Sequence, residues 1–199
     1  MIIDLTQELF SCAVFPGDPA PKRESLMAIS RGDVCNLTAF SMCAHNGTHV
    51  DAPCHFIQDG KPVDQMGLEP YVGPCWVARH DGRVTAEDAQ AMLDAARGRR
   101  ADRRLLIAGK ATVTEEAARV FSENRLLLLG NESQTVGPED APRAVHLILL
   151  GAGITLLEGV RMDGVLPGRY ILSAAPLNLG GCDGAPCRAY LMTEDEFGG

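Results

Sequence analysis

Three of the five histidines in this 199-residue chain, His45, His49 and His55, fall within eleven residues, where the chain's average density would place about 0.3. They belong to the segment His45-Asn46-Gly47-Thr48-His49-Val50-Asp51-Ala52-Pro53-Cys54-His55. Gly47, Thr48, Val50 and Pro53 disfavour a regular helix, which sets the segment apart from the His-Glu-x-x-His helix of zinc proteases. If it is extended, the two-residue period puts His45, His49 and Asp51 on one side of the chain. Two imidazoles and a carboxylate converging there suit zinc or manganese, and Gly47 lets the backbone approach closely. Pro53 then turns the chain, so that His55 faces the same site from a loop. A single histidine is more often a satisfied core or surface group. Burying three of them with an acid, and with neither metal nor mutual pairing, would be costly.

A second pair stands further along. His146 falls in a predicted helix and Glu158 ends the next predicted strand, with Gly151-Ala152-Gly153 reversing the chain between them. Such a tight return can bring both side chains to one end of the unit. His80, beside Arg79 and Asp81, reads as an ordinary surface residue. Cys54 adjoins His55, but neighbours in sequence seldom pair as nucleophile and base, and a metal-activated water makes a thiolate unnecessary.

The elements that must position these residues follow from local pattern. Ile2, Ile3 and Leu5 predict a first strand, followed by the Phe15-Pro16-Gly17-Asp18-Pro19 turn; residues 34–44 and 76–78 predict further strands. Thr85-Ala86-Glu87-Asp88 opens a helix like a capping box, and Ala, Met and Leu recur at helical spacing over 89–96. A strand at 105–108, a helix at 114–121 and a buried run at 126–129 continue the alternation. Pro142 starts a helix through 144–150, and strands are predicted at 154–158, 170–174 and 189–192. Strand, helix and strand in alternation predict an α/β domain.

Composition narrows the classes. With 26 Asp+Glu against 18 Lys+Arg, a formal net charge of −8, the chain offers no phosphate-tracking stripe, so no nucleic-acid partner is expected. No apolar run reaches the ~18 residues of a membrane span, and Met1-Ile2-Ile3-Asp4 does not start a signal peptide, which predicts a cytoplasmic protein without a membrane partner. Seven scattered cysteines with no Cys-x-x-Cys pair predict reduced, mostly structural thiols.

The pattern His45-x-Gly47-Thr48-His49-x-Asp51-Ala52-Pro53-x-His55 resembles the signature of the metal-dependent cyclase-like hydrolases, the family that contains bacterial kynurenine formamidase (arylformamidase) and isatin hydrolase. Similarity continues at Phe15-Pro16-Gly17-Asp18, from Val145-His146 through Glu158, and at Gly181-Cys182-Asp183-Gly184-Ala185-Pro186, spanning nearly the whole chain. The resemblance implies a swivelling β/β/α fold, with mixed sheets flanked by helices, as one domain over residues 1–199 that assembles into a homodimer or homotetramer. It implies two divalent ions, zinc first and manganese as the other candidate. His45, His49 and Asp51 would hold one, Asp51 and Glu158 would bridge, and His146 would complete the second. His55 would be the general acid/base. Phe15 stands where formamidases generally carry Trp, and would pack against the substrate's ring. The family's common Gly-x-Asp-x-x-Ser stretch reads Gly130-Asn131-Glu132-Ser133-Gln134-Thr135 here.

The implied reaction is hydrolysis of a small aromatic amide, N-formyl-L-kynurenine to L-kynurenine and formate, through a metal-bound hydroxide. The same chemistry would serve another aryl or cyclic amide such as isatin. A third reading is a non-catalytic metal- or small-molecule-binding protein on the same scaffold.

Overall fold

The computed structural model describes residues 1–193. In chain order the elements are β1 (Ile2–Asp4), β2 (Lys22–Met27), β3 (Leu37–Ser41), β4 (His49–Asp51), β5 (Val72–Arg79), β6 (Gly82–Val84), α1 (Ala86–Arg97), β7 (Arg104–Ala108), β8 (Ala111–Val113), α2 (Glu115–Glu123), β9 (Leu128–Asn131), α3 (Arg143–Gly151), β10 (Thr155–Glu158), β11 (Gly168–Ser173), β12 (Gly184–Pro186) and β13 (Tyr190–Met192). Nine strands form one curled mixed sheet in the order β1-β13-β11-β5-β7-β9-β10-β4-β12. Its centre, β5-β7-β9-β10, is parallel, and its flanks are antiparallel.

The parallel centre is apolar on both faces, as expected of strands covered from two sides. Along β7, Leu106 and Ala108 face the core enclosed by the curl, with Val50, Val77, Leu128 and Leu157; Leu105 and Ile107 face the helices. The helices pack there through Leu93, Ala117, Phe121 and Leu149. Thr85 caps α1 with the reciprocal Asp88 bond that its sequence predicts. Pro142 immediately precedes α3, and Gly153, at φ +77°, follows its end in the left-handed region.

The α/β alternation is as the sequence predicts, with differences at the less apolar pieces. The strand expected over 34–44 is the shorter β3, which pairs with β2 in an exposed ribbon apart from the main sheet. Polar β2 and the three-residue β6, β8 and β12 are too short or too polar to carry a two-residue apolar signal.

Candidate metal centre and catalytic pocket

The centre is built on β4, a three-residue strand buried between β10 and β12. His49 pairs with Glu158 and Pro186, and Asp51 with Leu156 and Gly184. The two-residue period sends Val50 into the core of the curl, while His49, Asp51 and the facing Glu158 share the helix-side face. His146, one turn into α3, approaches that face from the helix layer.

His45 arrives by a different route from the extended path expected. Residues 43–47 form a turn in which the Asn46 side chain accepts from the Cys43 amide at 2.9 Å and the Asn46 amide donates to the Cys43 carbonyl at 3.2 Å. Gly47 sits at φ +65°, with Cys12 Cβ 3.0 Å from where its own Cβ would be. A left-handed turn, rather than a continuous strand, therefore brings His45 beside Asp51. His55 ends a short 3-10 turn, Pro53–His55, that follows β4 as Pro53 predicts.

In each of three imidazoles, one ring nitrogen is committed to an acceptor outside the cluster and the other faces its carboxylates. His49 Nδ1 donates to the Gly47 carbonyl at 3.0 Å, leaving Nε2 3.5 Å from both Asp51 Oδ1 and Glu158 Oε2. His146 Nδ1 donates to the Pro142 carbonyl at 2.8 Å, leaving Nε2 3.3 Å from Glu158 Oε1 and 3.6 Å from Asp51 Oδ2. His45 Nε2 lies 3.0 Å from Asp183 Oδ2, and its Nδ1 2.8 Å from Asp51 Oδ1. These tautomers are assigned from the outer partners.

A neutral imidazole that donates from one nitrogen is a bare acceptor at the other, so lone pairs here confront carboxylate oxygens in a buried space. Only positive charge between them makes that arrangement favourable. His49 Nε2 and Asp51 Oδ2 are both buried without a hydrogen-bond partner. Protonation is one answer: although burial opposes the charge, the Asp51 and Glu158 carboxylates 3.5 Å away push the His49 pKa up to about 10. The pKa values of His45 and His146 are raised too, as their bonds to Asp51 and Glu158 overcome the desolvation of each ring. The other answer is a divalent cation, and the donor set fits one. One ligand atom from each of His49, Asp51 and Glu158, and likewise from His45, Asp51 and His55, lie within 4.8 Å of one another.

The cluster opens onto a cavity of about 340 Å³. Phe15, on the predicted turn, lines it, as do Phe56, Gln134, Thr135 and Asp183. The Phe56 ring lies 4.5 Å from both the His55 and His146 rings. Cys54 turns away, its thiol pointing to the Cys182 carbonyl at 3.7 Å, and burial pushes its pKa up, so it is no thiolate. Glu132, just past β9, accepts from the Gly109 amide just past β7 and from the Met162 amide in the β10–β11 connection at 2.8 Å, whereas Gln134 and Thr135 of the same stretch reach the cavity.

Sequence reasoning missed Phe56 and Asp183. Phe56 follows His55 with no pattern of its own. Asp183 lies in the Gly-rich stretch near the C-terminus, whose similarity to the family was the only signal, since 138 residues separate it from His45.

The family model described as "Putative cyclase" matches residues 3–138. The chain belongs to this cyclase family. A kynurenine formamidase of Sphingopyxis alaskensis is 32% identical over 96% of this chain and 97% of its own length. Among solved structures, isatin hydrolase A from Labrenzia aggregata superposes with a TM-score of 0.82 at 26% identity, over 97% of this chain and 93% of that one. A "potential metal-dependent hydrolase with cyclase activity" superposes with a TM-score of 0.79 at 27% identity, covering 96% of each chain. Membership of this family agrees with the curled sheet flanked by three helices and with a His/Asp/Glu cluster suited to a metal. No helix among the described residues is long and apolar enough to cross a membrane.

Proposed function

We propose that this cyclase-family chain is a metal-dependent amidohydrolase that converts N-formyl-L-kynurenine to L-kynurenine and formate. The observation that carries the reading is the set of three imidazoles anchored from outside and turned on two buried carboxylates, with His55 beside them at the cavity. In this reading His45, His49 and Asp51 would hold one divalent ion, Asp51 and Glu158 would be shared with a second, and His146 would complete it. Zinc is the first candidate and manganese the other, since both accept nitrogen and oxygen donors. Divalent ions in such a site lower the pKa of water and polarise an amide carbonyl.

The chain's own groups supply the rest. Phe15 and Phe56 provide apolar walls for an aryl ring. His55 accepts the proton of the attacking water and delivers it to the aniline nitrogen as the C–N bond to the formyl carbon breaks. The products are the free amine, formate and one proton: one proton of the water reaches the aniline nitrogen through His55, and the other leaves to solvent as formic acid ionises.

The kynurenine formamidase relative supports this substrate, and the isatin hydrolase neighbour supports a cyclic amide as the second reading. Residues 1–199 would act as one domain, in a cytoplasmic homodimer or homotetramer whose size light scattering measures. The deciding experiment combines metal content with turnover of N-formyl-L-kynurenine on protein purified without chelator. About two ions per chain and activity abolished by chelation are expected. Two ions without turnover of this substrate would move the assay to isatin and other aryl amides. Metal-loaded protein that binds these amides and turns over none would favour a binding protein, and no metal under any loading condition would sink the ligand assignment.

A further inference from the structure

Asp183 precedes β12 and is held by its backbone: its carbonyl accepts from the Ala52 amide at 2.8 Å, and the neighbouring Cys182 carbonyl accepts from the Val63 amide at 2.9 Å. The next residue, Gly184, pairs with Asp51, and a Cβ there would lie 2.6 Å from the Val50 carbonyl oxygen and 2.7 Å from His45 Cε1. Only glycine allows β12 to lie this close to β4 and to the His45 ring, which puts the Asp183 carboxylate at the edge of the cluster. There a single oxygen, Oδ2, meets His45 Nε2 at 3.0 Å and His55 Nδ1 at 3.1 Å. The two rings stack at 4.0 Å with 27° between their planes.

An ionised carboxylate only accepts, so both rings must donate to it. Donation from Nε2 leaves His45 Nδ1 bare towards Asp51, and donation from Nδ1 leaves His55 Nε2 bare as the proton acceptor. We propose that Asp183 is a positioning residue that sets the tautomers of His45, a metal-ligand candidate, and His55, the proton carrier, through one shared oxygen. The inference rests on the roles proposed above for those two histidines. Without the carboxylate, His55 is free to carry its proton on Nε2, where it cannot take one from water. His45 loses the outer acceptor that orients a ligating ring, a loss that typically costs about 10–100-fold in metal affinity or activity.

The test compares zinc-loaded wild type with Asp183→Asn, Asp183→Ala and Asp183→Glu by three readouts: long-range ¹H–¹⁵N NMR of the histidine rings, zinc affinity by chelator competition, and kcat and KM. Wild-type His55 is expected as the Nδ1–H form. In the Asn and Ala variants its signals shift towards Nε2–H, zinc stoichiometry holds while affinity falls about tenfold, and kcat falls about 10–100-fold with KM changed less than about threefold. Glu, which keeps an acceptor-only group, is expected to recover part of the ring signature and of kcat. An unchanged His55 tautomer, or Asn and Ala variants with wild-type kcat, overturns the proposal. Loss of a whole equivalent of zinc also overturns it, because Asp183 would then be a ligand. If the wild type turns over no amide, the functional reading fails on its own, and the ring spectra and zinc affinity still decide the role of Asp183. Near-isosteric Asn keeps the test open should Ala or Glu fail to fold.

Discussion

The candidate metal centre has two halves that differ in how they are held. His49, Asp51, His146 and Glu158 have side chains only 1–3% exposed, and sit on β4, β10 and α3. His45, His55 and Asp183 are 12%, 27% and 49% exposed, and come from a turn, a 3-10 turn and the lead into β12. The buried half is positioned by strand pairing and helix packing, so its geometry is part of the fold. The open half is brought in by turns, joined through the one Asp183 oxygen that meets both rings, and lies on the more exposed side of the cluster. Rigid burial suits groups that concentrate charge; partial exposure suits groups that exchange protons with solvent.

The largest effect expected is at Asp51, the buried-half residue that also meets His45 of the open half. Asp51→Ala removes the carboxylate facing His45, His49 and His146, and should reduce metal affinity beyond the roughly 10–100-fold typical of losing an outer partner, with activity undetectable. Metal analysis after dialysis checks it; retention of two ions would break the idea of a common ligand. His55→Ala should separate the halves: metal content stays at the wild-type level while kcat falls roughly 100- to 10,000-fold, the usual worth of a general acid/base. Wild-type turnover in that variant would defeat the assignment.

Removing the metal should act on the fold through the buried half. An ion present at 100 times its Kd contributes about 2.7 kcal/mol, and a domain of this size shifts about 2–4 °C per kcal/mol. Chelation should therefore lower Tm by roughly 5–11 °C per site, read by thermal unfolding. Without a metal, the Asp51 and Glu158 carboxylates push the His49 pKa up to about 10 against the opposing effect of burial. A histidine raised in the folded state stabilises fully below its unfolded value of about 6.5, and that stabilisation is lost as pH rises through the folded value. The Tm of metal-free protein should accordingly fall between pH 7 and 10, and zinc-loaded protein should show a flatter profile. Equal slopes would mean that His49 does not face the ion.

The smallest effect is expected at the cavity wall. Phe15→Ala removes an aromatic contact worth about 0.5–1.5 kcal/mol, which should raise KM a few-fold to about tenfold with kcat and metal content little changed. A selective loss on N-formyl-L-kynurenine relative to isatin would sharpen Phe15 into a specificity residue.

Where the sequence was legible, a local pattern carried the information. Thr85-Ala86-Glu87-Asp88 announced α1, the apolar runs announced β7 and β10, and the histidine spacing announced the site, because caps, periodicity and clustering are short-range properties of the chain. His49 and Asp51 share a face as the two-residue period requires. His45 did not follow that period, since Gly47 takes a left-handed conformation that ends any extended run before β4 begins.

The side-chain types gathered at the candidate site and the alternation of strand and helix were thus determined by the sequence alone. Tertiary structure decided which nitrogen of His45, His49 and His146 meets an acceptor outside the cluster, that Phe56 lies over His146, and that Asp183 reaches both His45 and His55. These are contacts between segments up to 138 residues apart, created only when β12 and β10 pair with β4 and α3 packs on the sheet. No local pattern encodes them, because a hydrogen-bond partner is chosen by where the folded chain brings an acceptor, not by which residue comes next.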